Sequence, residues 1–99
     1  MEITLYENGR VVDFPFDDDF AAVIDEIQDL WAPTYNSKAF FRVDEDRLSL
    51  VYIENGSYAK IPEEWLTREV RFGVSKPLKL VGDRIPLRTR NLYVQFHPE

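Results

Sequence analysis

The chain has 99 residues, 44% hydrophobic and 14% aromatic, with no cysteine and a net charge of −6. Such a chain is long enough for one domain over residues 1–99 around one core, and too apolar for disorder. Lack of cysteine excludes a disulfide framework, a thiolate metal site and a cysteine nucleophile, and the acidic balance weighs against general nucleic-acid binding, which depends on neutralising phosphates.

The charge is unevenly spread. Residues 1–59 hold thirteen acids and four bases, and residues 60–99 hold five acids and eight bases. The division is either internal complementarity or two surfaces with different partners. No apolar run approaches the roughly 18 residues needed to cross a bilayer, and no basic-then-apolar leader pattern opens the chain. A soluble, cytoplasmic protein with no membrane partner is therefore the expectation.

In chain order, Glu2 to Glu7 and Arg10 to Phe14 flank Asn8-Gly9, the pair suited to a type I′ turn because both central residues need positive φ. If Glu7 faces Arg10, then Leu5 faces Val12 and Ile3 faces Phe14, so the four apolar residues share one face. Pro15 ends this hairpin.

The segment Asp17 to Trp31 is the principal amphipathic helix. Phe20, Val23, Ile24, Ile27, Leu30 and Trp31 recur at three- and four-residue steps and form its apolar stripe. Asp17, Asp18 and Asp19 supply an N-cap candidate and negative charge for the first turn, and Pro33 ends the helix by disfavouring helical geometry at Ala32. Farther along, Asp25 and Asp29 are like charges four apart, and Asp29 stands near the helix end that disfavours acids. No Lys or Arg occurs between Val11 and Ser37. The face Asp18, Asp25, Glu26 and Asp29 is thus an acidic surface, either solvated or a docking site for a basic partner. Trp31 and Tyr35 bracket the following loop, where such a pair closes a core edge or anchors an interface.

Residues Ala39 to Ile61 read as a three-stranded meander. A loop at Asp44 to Arg47 sets Val43 opposite Leu48 and Phe41 opposite Leu50; Asn55-Gly56 sets Tyr52 opposite Ala59 and Leu50 opposite Ile61. All seven residues then share one face, while Val51 and Ile53 make the middle strand apolar on both sides. Asp44, Glu45 and Asp46 read as a loop tip and lack the calcium-loop pattern. Pro62, as a first helical position, opens a short helical turn near 62–68 with Trp65 and Leu66 inward. Val70, Phe72 and Val74 alternate as a half-buried strand, and residues 75–86 form a loop with an extended piece at Leu78 to Val81. From Arg88 to Phe96 the even positions are Arg88, Arg90, Leu92, Val94 and Phe96, so two arginines extend the line of an apolar strand face. With Lys76, Lys79 and Arg84 they form a five-cation region, which either covers the acidic helix or stands in water, or else forms a site for phosphate or an acidic partner.

The sole histidine, His97, lies near the end of the sequence, where chains tend to be poorly ordered. It cannot by itself build a paired-histidine metal site. The glycines are isolated, so no phosphate-cradling loop exists, and no spacing matches a catalytic motif. We expect no cofactor, no metal site and no enzymatic activity.

These readings converge on an α+β domain. A mainly antiparallel sheet of five or six strands carries the 17–31 helix packed on one face. The expected function is non-catalytic protein binding, with Asp18, Asp25, Glu26, Asp29, Trp31 and Tyr35 contacting a basic protein partner, as small acidic inhibitors, immunity proteins and antitoxins do. The alternative is a nucleic-acid or phosphate-ligand module using Lys76, Lys79, Arg84, Arg88 and Arg90. Self-association through the face around Val51 and Ile53 is compatible with either.

Overall fold

Two Asn-Gly turns organise the sheet. In the computed structural model, which describes residues 1–30, 39–44 and 47–98, Asn8 and Gly9 have φ of 53° and 80°, and Asn55 and Gly56 have φ of 52° and 81°. These are the left-handed conformations that a two-residue hairpin turn requires. The first turn joins β1 (Glu2–Glu7) to β2 (Arg10–Val12), with Leu5 opposite Val12 and Glu7 opposite Arg10. The second joins β4 (Arg47–Glu54) to β5 (Ser57–Ala59), with Tyr52 opposite Ala59. Between them run the helix α1 (Phe20–Asp29) and β3 (Ala39–Asp44), the latter paired with β4 so that Val43 meets Leu48 and Phe41 meets Leu50. The tip at residues 45 and 46 lies outside the described residues, as do Trp31 and Tyr35.

After β5 come the single-turn helix α2 (Glu63–Leu66), the ribbon β6 (Glu69–Val70) with β7 (Leu78–Lys79), and the hairpin of β8 (Ile85–Pro86) with β9 (Leu92–His97). The molecule is a small α+β fold whose main sheet is antiparallel and seven-stranded, in the order β3-β4-β1-β9-β8, with β2 on β1 and β5 on β4. Strand alternation sends Ile3, Leu5, Leu48, Leu50, Leu92, Val94 and Phe96 into one core cluster, which also contains Val23, Ile27, Leu30 and Trp65. No helix among the described residues is long and apolar enough to cross a membrane.

Several expectations need correction. Among the described residues the main sheet has seven strands rather than five or six; the two-residue β8 contains proline and carries no periodic signal. The expected pairs of Ile3 with Phe14 and Leu50 with Ile61 do not form within the strands, since β2 stops at Val12 and β5 at Ala59. Met1 takes the place beside Leu50, whose N–H donates to the Met1 carbonyl at 2.8 Å while the Met1 nitrogen donates to the Leu50 carbonyl at 3.1 Å. Val43 is 48% exposed, so the shared inward face of the meander ends before the tip of β3. Pro62 stands at the N-cap of α2 rather than inside it. The strand at Val70 to Val74 stops at Val70, and the chain bends through Gly73, where φ is +71°.

The start of α1 also differs from its expected place. Asp17 uses its side chain to accept the Asp19 N–H at 2.9 Å, a local turn that delays the helix to Phe20. The three acids consequently precede the first turn instead of filling it. At the other end, the Arg68 guanidinium donates to the Leu30 carbonyl, bringing positive charge to the helix C-terminus from 38 residues away.

Candidate functional site

The acids of the helix segment divide according to what the rest of the chain offers them. Arg88 to Asn91 lie in a turn between β8 and β9, closed by the Leu87 N–H donating to the Leu92 carbonyl at 2.7 Å. Arg90 and Asn91 take positive φ there, 58° and 54°. This conformation is disfavoured for Arg, which lacks the short polar side chain that lets Asn enter the left-handed region. The expected run of Arg88 and Arg90 along the strand face is therefore absent, because the strand begins only at Leu92.

Glu26 holds this turn. Its carboxylate accepts the Arg88 N–H at 2.6 Å, the Thr89 N–H at 2.8 Å, and the Thr89 hydroxyl. Arg90 extends the contact, its guanidinium lying 2.9 Å from Asp17 and 3.6 Å from Asp19. Glu26, half-buried and satisfied by the chain itself, leaves the exposed acidic face on which the sequence placed it. A signal for this existed: Glu26 follows Val23 by three residues and precedes Leu30 by four, at the border of the buried stripe. Arg68, the helix's C-terminal cation, was missed because nothing local to α1 points to it.

Asp18, Asp25 and Asp29 remain. All three are exposed, and none has an ion-pair or hydrogen-bond partner among the described residues. Asp25 and Asp29, four residues apart, share one side of α1, and Asp18 lies in the turn that leads into it. Ala21 and Ala22, both small, and the longer Gln28 are also exposed on the helix.

Like charges at Asp25 and Asp29 cost the helix stability. Asp29→Asn is expected to raise stability by about 0.3–0.5 kcal/mol in urea unfolding. A loss instead of a gain would mean that Asp29 serves the fold.

Three of the five cations of the alternative site, Arg84, Arg88 and Arg90, meet separate partners. Arg84 lies 3.8 Å from the centre of the Tyr6 ring, and Tyr6 alternates with buried Leu5, so this contact is on the sheet face opposite the core. Arg88 lies 5.1 Å from the centre of the Phe72 ring, and Arg90 is with Asp17 and Asp19. Lys76 and Lys79 are exposed on and beside the β6–β7 ribbon, where the Asp83 carboxylate accepts the Lys79 N–H at 2.8 Å. His97 sits within β9, its Nε2 2.9 Å from the Thr4 hydroxyl, a more ordered setting than its place in the sequence suggests. Comparison with family models, with curated proteins and with solved structures finds no match to the chain.

Proposed function

We propose that this is a non-catalytic protein-binding domain that docks a basic partner through the exposed side of α1. The observation that carries this reading is the division of acids on and before the helix: Asp17, Asp19 and Glu26 serve the fold, whereas exposed Asp18, Asp25 and Asp29 have no described partner. A like-charged pair that costs the helix and stands in water is suited to steering a cationic surface. The small side chains of Ala21 and Ala22 leave room for close approach. Trp31 and Tyr35 extend the proposed contact beyond the described residues. An inhibitor, immunity or antitoxin-like role fits this chemistry, with the cytoplasm as its expected setting.

The test is a paired capture from native, nuclease-treated lysate with immobilised wild type and an Asp25→Lys/Asp29→Lys variant. The expected result is a basic protein retained by wild type, released by salt and lost from the variant, while the variant's circular dichroism is unchanged. Equal retention by both forms would remove the reading.

A further inference from the structure

We propose that the notch between β1 and β5 is a binding site for a small amphipathic anion, a free molecule with an apolar body and a carboxylate head. The notch follows from the sheet topology. Along one edge of β4, β5 pairs with Tyr52 to Glu54 and β1 pairs with Leu48 and Ser49, with Met1 beside Leu50. The two strands do not meet, and the gap opens a cleft of about 480 Å³ with the apolar side chains of Val51 and Ile61 in its lining and Tyr58 and Lys60 at its border. Met1, Lys60 and Ile61 also line an adjoining pocket that reaches Leu66 and Pro98, so apolar lining continues past Ile61. The cleft's volume lies in the range of small-molecule sites, and an apolar lining with a few polar groups at the rim is their usual construction.

Charge selects the head group. Among the described residues the lining side chains include the cations Arg42 and Lys60 and no acid, in a protein whose net charge is −6. Lys60 is exposed at the rim and can reach a ligand head while its stem covers apolar surface. Tyr58, 71% exposed, offers a ring to the ligand body and a hydroxyl to its oxygens. An anion without an apolar part would leave the apolar lining unused, and a neutral apolar molecule would leave Lys60 unused.

The probe is anilinonaphthalene sulfonate, an apolar aromatic body carrying one anionic group, titrated into the full chain by fluorescence. Its uncharged parent, phenylnaphthylamine, serves as the control. Wild type is expected to bind the sulfonate saturably at one site, with amide shifts at Leu50, Val51 and Ala59. Lys60→Met should weaken this binding about tenfold and Lys60→Glu further, while the uncharged probe binds all three forms alike. Octanoate and an aryl carboxylate should displace the sulfonate, and acetate and inorganic phosphate should not. The proposal is overturned by no saturable binding below about 1 mM, by amide shifts elsewhere, by equal binding to the Lys60→Glu variant, or by displacement with phosphate as effective as with octanoate. Failure here leaves the α1 docking surface untouched, because the cleft shares no residue with it.

Discussion

Truncating Phe96 to alanine is expected to destabilise the protein by about 3–5 kcal/mol, the usual cost of removing a buried phenyl group and leaving a cavity. Phe96 is fully buried and is the largest of the completely enclosed side chains among the described residues. Its strand lies between β1 and β8, with Phe96 opposite Ile3 and bridged in parallel to Val81, while its carbonyl accepts the Gly82 N–H at 3.2 Å. Neighbours tied by so many ladder hydrogen bonds cannot collapse far into the space. Domains of this size have stabilities of about 5–15 kcal/mol, so the variant should lose a large fraction of its stability and show a much lower urea midpoint. A loss below about 1 kcal/mol would show that the sheet can close over the site.

Glu26→Ala is expected to cost about 2–3 kcal/mol, although an ordinary solvent-facing acid on a helix changes stability by only a few tenths when replaced. The carboxylate satisfies two backbone N–H groups and one hydroxyl in a turn more than sixty residues away. Removing it leaves those donors to water in a partly buried place and releases Arg90, whose left-handed conformation depends on the turn remaining closed. Glu26→Gln keeps an acceptor without the charge and should cost about 1 kcal/mol, because charge-assisted hydrogen bonds are roughly twice as strong as neutral ones. Urea unfolding of the two variants decides the matter. Near-identical stability of Glu26→Ala and wild type would mean that the turn is held by its own closure. By contrast, the Arg90 ion pairs with Asp17 and Asp19 are about half exposed and contribute little by themselves.

The two predictions for α1 pull in opposite directions for a physical reason. Glu26 and Asp25 are adjacent in sequence but separated by about 100° around the helix, so one reaches the chain's own backbone and the other reaches solvent. If the docking reading holds, replacing Asp25 and Asp29 removes binding without loss of stability, whereas replacing Glu26 lowers stability whatever the partner.

What the amino-acid sequence determined by itself is what depends on a few neighbouring residues. Asn-Gly at residues 8–9 and 55–56 forces left-handed backbone, and the strict two-residue period of a strand then leaves one register in which the apolar residues share a face. Leu5 with Val12 and Tyr52 with Ala59 follow. The helical period placed Val23, Ile27 and Leu30 inward and Asp25 and Asp29 outward in the same way. The tertiary structure alone decided which charges are satisfied internally. Glu26 on the turn at Arg88 and Thr89, Arg90 on Asp17 and Asp19, Arg68 on the end of α1, and Met1 beside Leu50 all join segments far apart in the chain. Local spacing sets Glu26 at the border of the buried stripe, but no local spacing encodes which distant group each of these side chains meets. The uneven charge of the two halves is thus partly internal complementarity, centred on the turn before β9.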